Sequence, residues 1–208
     1  MDNPYWEQVQ SHVAVDNWYQ TPQVQRWNTD CGHFSIDGYP NREELVARYA
    51  WCVTDPATID FIAAHARGGL VDPMAGTGYW AYLLNQAGVD VVSYDLEPGS
   101  NAWHGDKQLF TEITALDGAL AVAMHRNRTL FMSWPPYSED VGARILNAYR
   151  GRRVIFIGEG HGGCTGDDDL YETLERHWTE VAEHIPVQWF GVHDHVYVYK
   201  RALPRLLG

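Results

Sequence analysis

The spacing of apolar residues changes period repeatedly along the chain, and each change marks an element. From Asn41 the stretch NREELVARYAW (residues 41–51) repeats apolar positions at helical spacing. Thr54, Asp55 and Pro56 then supply a capping side chain before a proline for a second helix, ATIDFIAAHA (residues 57–66). GLVDP reads as a strand, GYWAYLLNQAG as a helix closed by Gly88, and VDVVSYDL as a second strand rich in β-branched residues. LFTEIT is a weaker third strand. DGALAVAMHRN predicts a helix, RTLFMSW a strand, SEDVGARILNAYRG a helix with an acidic first turn, and RRVIFIGE a further strand. The chain then reads as one long helix, DDDLYETLERHWTEVAEHI (residues 167–185). A hairpin of PVQWF and HVYVYK follows, turning at Gly191.

Strands that alternate with helices need crossover connections, so the pattern implies an α/β architecture: a doubly wound, mostly parallel sheet covered on both faces, with an antiparallel edge from the terminal hairpin. No internal repeat or long linker divides the chain, and residues 1–208 read as a single domain. Within it, residues 1–66 form an N-terminal lid and helices, and residues 67–208 the sheet core. The lid expectation rests on Tyr5, Trp6, Trp18, Tyr19, Trp27 and Phe34, which crowd a segment with little regularity after residue 20.

Composition narrows the setting. With 208 residues, 45% of them apolar, the chain can bury roughly 70% of its extended surface without a covalent staple. Nine tryptophans suggest flat-walled pockets or a broad aromatic core. Cys31, Cys52 and Cys164 are odd in number and form no CxxC pair, so they read as free thiols in a reducing compartment. MDNPYWEQVQ is polar at once and no apolar run approaches the ~20 residues of a membrane span, which predicts a soluble, cytoplasmic protein with no membrane partner. The net charge of −12 disfavours a long polyphosphate partner, since such affinity comes from Lys and Arg displacing counterions. The one tight basic cluster, Arg150, Arg152 and Arg153, reads as an exposed turn.

The candidate chemistry begins at LVDPMAGTGYW, a glycine-rich turn between a strand and a helix, where Gly76 and Gly78 keep the wall low and a helix N-terminus faces a ligand. Asp95 stands at the end of the next strand, where a carboxylate can accept hydrogen bonds from both hydroxyls of a ribose. The run from Gly76 to Ala81 also matches a dinucleotide fingerprint, so a nicotinamide oxidoreductase is an alternative. Asp72 weighs against it, because an acid at the strand end repels pyrophosphate and attracts an ammonium. DPMAGTG followed by SYDLEP resembles the first two motifs of the class I S-adenosylmethionine-dependent methyltransferases. That resemblance implies a Rossmann-like seven-stranded sheet with an antiparallel last strand, and S-adenosyl-L-methionine as cofactor. It places Asp72, Ala75, Gly76 and Gly78 around the methionine part and Asp95 at the ribose; Thr77, Tyr79, Leu96 and Ser133 are further cofactor-binding candidates.

RTLFMSWPPY occupies the fourth-strand position and resembles the [DNS]PP[YF] motif of amino methyltransferases, which act on exocyclic base amines or glutamine amides. It departs from that motif in one respect: Trp134, whose indole has no acceptor, touches the proline pair, and Ser133 lies one place earlier. In a regular strand that shift turns Ser133 to the opposite face unless a bulge rotates it. The remaining pocket, with a free proline carbonyl from Pro135, the Trp134 indole and the Tyr137 phenol, suits a flat or cationic small molecule. Tyr49 and Trp51 are further lining candidates. Glu159, after the strand VIFIG, is the candidate base, with Tyr137 beside it as a catalytic candidate. The loop GHGGCTGDDD brings His161 and Cys164 near the opening. Asp167 to Asp169 start a helix and lack the DxDxDG spacing of a cation loop, so no metal is expected. His193 and His195 share one face with Asp194 on the other, as edge residues or as a base.

These features predict methyl transfer to a nitrogen or oxygen of a small-molecule acceptor. The alternatives are a nucleobase exocyclic-amine methyltransferase, a non-methylating user of the same cofactor, or a pseudoenzyme that only binds it.

Overall fold

The computed structural model describes residues 1–13, 40–99, 108–189 and 191–202. Along them run α1 (Pro4–Val9), α2 (Arg42–Arg48), α3 (Pro56–His65), β1 (Leu70–Asp72), α4 (Tyr79–Gln86), β2 (Val91–Asp95), β3 (Thr114–Ala115) and α5 (Gly118–Met124). Then follow β4 (Thr129–Ser133), α6 (Val141–Ala148), β5 (Arg153–Gly158), α7 (Asp168–His177), β6 (Trp178–His184) and β7 (His195–Arg201). The seven strands form one sheet in the order β3-β2-β1-β4-β5-β7-β6. The first five are parallel neighbours, and β7 runs antiparallel to both β5 and β6.

The side-chain period of two divides the core between the faces of the sheet. Phe131 of β4 joins Ile155 and Ile157 of β5 in a cluster with Leu83 of α4 and Ile59 of α3. Leu130 and Met132 turn the other way, towards Val154, Phe156, Leu146 of α6 and Leu174 of α7. Such two-sided burial is what a parallel sheet with helices on both faces requires, and it explains the near-continuous apolar runs of β4 and β5.

The expected seven-stranded sheet with an antiparallel C-terminal pair is present, but one of its strands is elsewhere in the sequence. The helix predicted over residues 167–185 stops at His177, and Trp178–His184 is β6, paired with β7 on either side of a register shift between Glu180 and Ala182; residues 186–189 are not the partner strand. Leu170, Tyr171, Leu174, Trp178, Val181, Ala182 and Ile185 continue a helical stripe, which is why the stretch reads as one helix. Val181 and Ile185 are nonetheless exposed, so no helix face is being buried there. The backbone bonds of β7's outer edge take precedence over the local pattern. β3 is likewise shorter than LFTEIT and shifted to its end, pairing Thr114 and Ala115 with Tyr94 and Asp95.

The N-terminal segment contributes core. Tyr5 and Val9 are fully buried, and Tyr5 accepts the indole N–H of Trp189 at 2.9 Å. Trp18, Tyr19, Trp27 and Phe34, on which the lid expectation rested, lie outside the described residues. Asn3 caps α1 and fastens it to the domain. Its Oδ1 accepts from the amide of Trp6 (3.1 Å), the hydroxyl of Thr54 (3.1 Å) and the hydroxyl of Tyr79 (2.9 Å), while its Nδ2 donates to the Thr54 carbonyl at 2.6 Å. Replacing Asn3 with Ala strands two buried hydroxyls, one part-buried amide and one carbonyl. We expect Asn3→Ala to lower unfolding stability by about 2–4 kcal/mol, read as a lower urea midpoint with an unchanged slope.

Candidate functional site

Strand order reverses between β1 and β4, and crevices at such reversals, outside the carboxyl ends of the strands, are where open α/β sheets hold ligands. Here the crevice is a cavity of about 450 Å³. Five consecutive loops contribute to it: Pro73, Met74 and Gly76 after β1; Asp95, Leu96 and Glu97 after β2; Asp117 and Gly118 after β3; Ser133 to Tyr137 after β4; and Cys164 after β5. Trp51, Glu139, Val141, Arg144 and Ile145 complete the lining.

The glycine turn is shaped by backbone bonds. Gly76 (φ 57°) and Gly78 (φ 75°) both take left-handed conformations. A Cβ on Gly78 would lie 2.6 Å from Thr111 Cγ2, so the turn closes only with glycine there. Asp95 ties the first two loops together, its Oδ2 accepting the Gly76 amide at 2.8 Å and its Oδ1 the Glu97 amide at 3.0 Å. Each oxygen retains a further lone pair for a ligand. Asp72, behind this turn, accepts the Met74 amide at 3.3 Å. Burial, with Asp95 nearby, pushes its carboxyl up to about 8 against the opposing Met74 bond.

On the other side of the reversal, β4 ends at Ser133 and Trp134 takes φ 52°, a left-handed conformation that costs a non-glycine residue about 1–3 kcal/mol. This turn is the bulge-like rotation that a regular strand lacks, and it lets Ser133 and Trp134 line the same cavity. The Trp134 amide donates to the Ile157 carbonyl at 2.8 Å, and its indole N–H to Asp194 Oδ1 at 2.7 Å. The Pro135 carbonyl, expected to be free, accepts the Gly166 amide at 2.9 Å instead. Tyr137 stands exposed at the rim.

Of the cofactor candidates, Gly76, Asp95, Leu96 and Ser133 line the cavity; Asp72, Ala75, Thr77, Gly78 and Tyr79 shape the turn without bordering it. Thr77 donates its hydroxyl to the Tyr49 carbonyl at 2.6 Å, and Tyr79 and Trp80 are both core residues. Among the acceptor candidates, Trp134, Pro135 and Tyr137 are in the lining, as is Trp51. Tyr49 is buried against Tyr5 and Tyr79.

Glu159 does not line the cavity. Its Oε1 accepts the His193 amide at 2.9 Å and its Oε2 the Cys164 amide at 2.7 Å, clasping two loops. Burial raises its pKa, but those amides more than offset this, and the carboxyl rests below its usual range. His195 pairs with Glu183 across β6 and β7 at 2.6 Å. Among the described residues no group of three or more His, Cys, Asp or Glu side chains could hold a metal ion. No helix among them is long and apolar enough to cross a membrane.

Asp117, Glu97, Glu139 and Arg144 were missed. Asp117 had a signal, because it caps α5 through the amides of Ala119 and Leu120 at a strand-to-helix turn. The others depend on how loops distant in sequence converge.

No protein-family model and no curated protein matches the chain. Solved structures resemble it at low identity. The magnesium protoporphyrin IX methyltransferase of Synechocystis PCC 6803 with bound S-adenosylmethionine covers 97% of this chain and 99% of that chain, with 13% identity and a TM-score of 0.50. The same enzyme with bound S-adenosylhomocysteine covers 80% and 90%, with 14% identity and a TM-score of 0.50. The fold is that of S-adenosylmethionine-dependent methyltransferases. Within this methyltransferase fold, the glycine turn and the proline lip are the two walls of one chamber.

Asp72 makes its state testable. In the unfolded chain an aspartate titrates near ~3.9, and here it is held up to about 8, so the folded state binds the extra proton between those values. Its contribution to stability therefore falls as pH rises through that window. We expect Asp72→Asn, compared with wild type by urea unfolding, to be indistinguishable near pH 4. It should become progressively the more stable of the two towards pH 8.5, at up to about 1.4 kcal/mol per pH unit.

Proposed function

We propose that the chain is an S-adenosylmethionine-dependent methyltransferase acting on a nitrogen or oxygen of a small, planar acceptor. The observation that carries this reading is the meeting, in one cavity, of the Gly76 turn and Asp95 with the Ser133–Tyr137 lip across the strand reversal. The residues fit the cofactor. Asp95 keeps lone pairs for ribose hydroxyls, and Asp117 offers an acceptor to an exocyclic amine. The two solved neighbours carry the cofactor or its demethylated product, which supports the same assignment.

When bound, the cofactor supplies a methyl on a sulfonium whose leaving group needs no further activation. What the chain must do is hold the acceptor in line with it. The two prolines fix the lip with little ordering cost, Trp51 and Trp134 give a flat wall, and Tyr137 closes the rim. Glu159 is a poor proton acceptor in its backbone clasp; Glu139, exposed at the cavity, takes that role in this reading.

A nucleobase exocyclic amine is the second reading, favoured by the turn at Trp134 that puts Ser133 and Pro135 in one wall. Net charge of −12 weighs against a polyanionic carrier of that base.

Titration calorimetry with S-adenosylmethionine and with NAD separates methyl transfer from hydride transfer: the first should bind and the second should not. Asp95→Ala should weaken cofactor binding by about 100-fold, the loss of charge-assisted bonds of about 3 kcal/mol. Unchanged affinity would place the ribose elsewhere. Transfer of labelled methyl to a metabolite extract, and not to oligonucleotides, is the expected outcome of the acceptor test.

A further inference from the structure

Asp194, in the segment entering β7, is fully buried. Its Oδ1 accepts the Trp134 indole N–H at 2.7 Å, and its Oδ2 has no hydrogen-bond partner. Trp134 stacks on Trp51 with ring centroids 4.9 Å apart and planes 16° from parallel. The Arg42 guanidinium carbon lies 5.5 Å from the Trp51 centroid and 5.9 Å from that of Trp134. Both indoles line the cavity.

An indole presents the negative part of its quadrupole at its faces, and a carboxylate that accepts its N–H pushes more negative charge into the ring. The rest of the lining has the same sign: Asp95, Glu97, Asp117 and Glu139 outnumber Arg144, which is itself paired with Asp117 (3.6 Å) and Asp140 (3.2 Å). With Arg42 already held against both rings, it is the acidic wall around Trp134 that favours a soft, weakly hydrated cation there.

We propose that Trp134, held and polarised by Asp194, forms an organic-cation site in the cavity, with Asp194 a positioning residue that does not touch the ligand. Such a cation has two sources: the sulfonium of the cofactor, which rests on the methyl-transfer reading, or a cationic group on the acceptor. Asp194→Asn separates charge from geometry, because the amide oxygen can still accept the indole N–H. Trp134→Leu removes the ring face and serves if the first variant does not fold.

The test is calorimetry on the full chain at pH 8.5, above the value near 7 to which burial pushes Asp194, with two matched pairs, S-adenosylmethionine against S-adenosylhomocysteine, and N-methylquinolinium against quinoline. The second pair is run with and without S-adenosylhomocysteine. Each variant should weaken the cationic member of at least one pair by about 5-fold, equivalent to ~1 kcal/mol, while the neutral member changes less than about 2-fold. A selective loss in the first pair assigns the cation to the sulfonium; a selective loss in the second assigns it to the acceptor. Wild-type ratios in both pairs, or equal losses of cationic and neutral members, would overturn the proposal. Failure of the methyl-transfer reading shows separately, as wild-type protein that binds neither cofactor form, and the quinolinium ratio still reports on Trp134.

Discussion

The sheet winds in opposite directions from the seam between β1 and β4, and every loop that matters leaves the same edge of it. Such an edge gathers backbone N–H groups that no strand neighbour can satisfy. Acidic side chains answer that need at several points around the seam: Asp95 for Gly76 and Glu97, Asp117 for the start of α5, and Glu159 for Cys164 and His193. The acidity of the cavity is therefore partly a consequence of how the loops are held, and the selectivity of the pocket follows from its scaffolding.

What could be read in advance was whatever is local. The apolar runs in LVD, TLFMS and RVIFIG, the helix beginning at Asn41, the cap at Asp55 and the glycine-rich turn at Gly76 and Gly78 depend on residues within a few positions of one another, and they hold in the fold. Residues 170–185 keep one helical period although only the part up to His177 is helix. Only the unpaired outer edge of β7, distant in sequence, decides where helix gives way to strand.

The site divides in the same way. Gly76, Asp95 and the proline lip carry signals in their own neighbourhoods. Glu159 and Asp194 are both carboxylates close to the C-terminal ends of β4 and β5, yet one is held below its usual range by two amides and the other pushed up to about 7 by burial. Glu159 has one local partner, the Cys164 amide five positions on, but its second amide and the Asp194 partner come from 34 and 60 positions away. Trp134 is the link: a residue in a strained left-handed backbone carries both the hydrogen bond to Asp194 and the stack on Trp51.

The outermost strand, β6, has a further consequence for the molecule among its copies. A bare strand edge is a template for another chain, and proteins defend such edges with charge and irregularity. β6 does both: its pairing with β7 slips between Glu180 and Ala182, and Glu180 and Glu183 place acids along it. Two such edges brought together would set acid against acid across a ladder that is out of step, so continuation of the sheet from one molecule into the next is opposed by the strand that ends it.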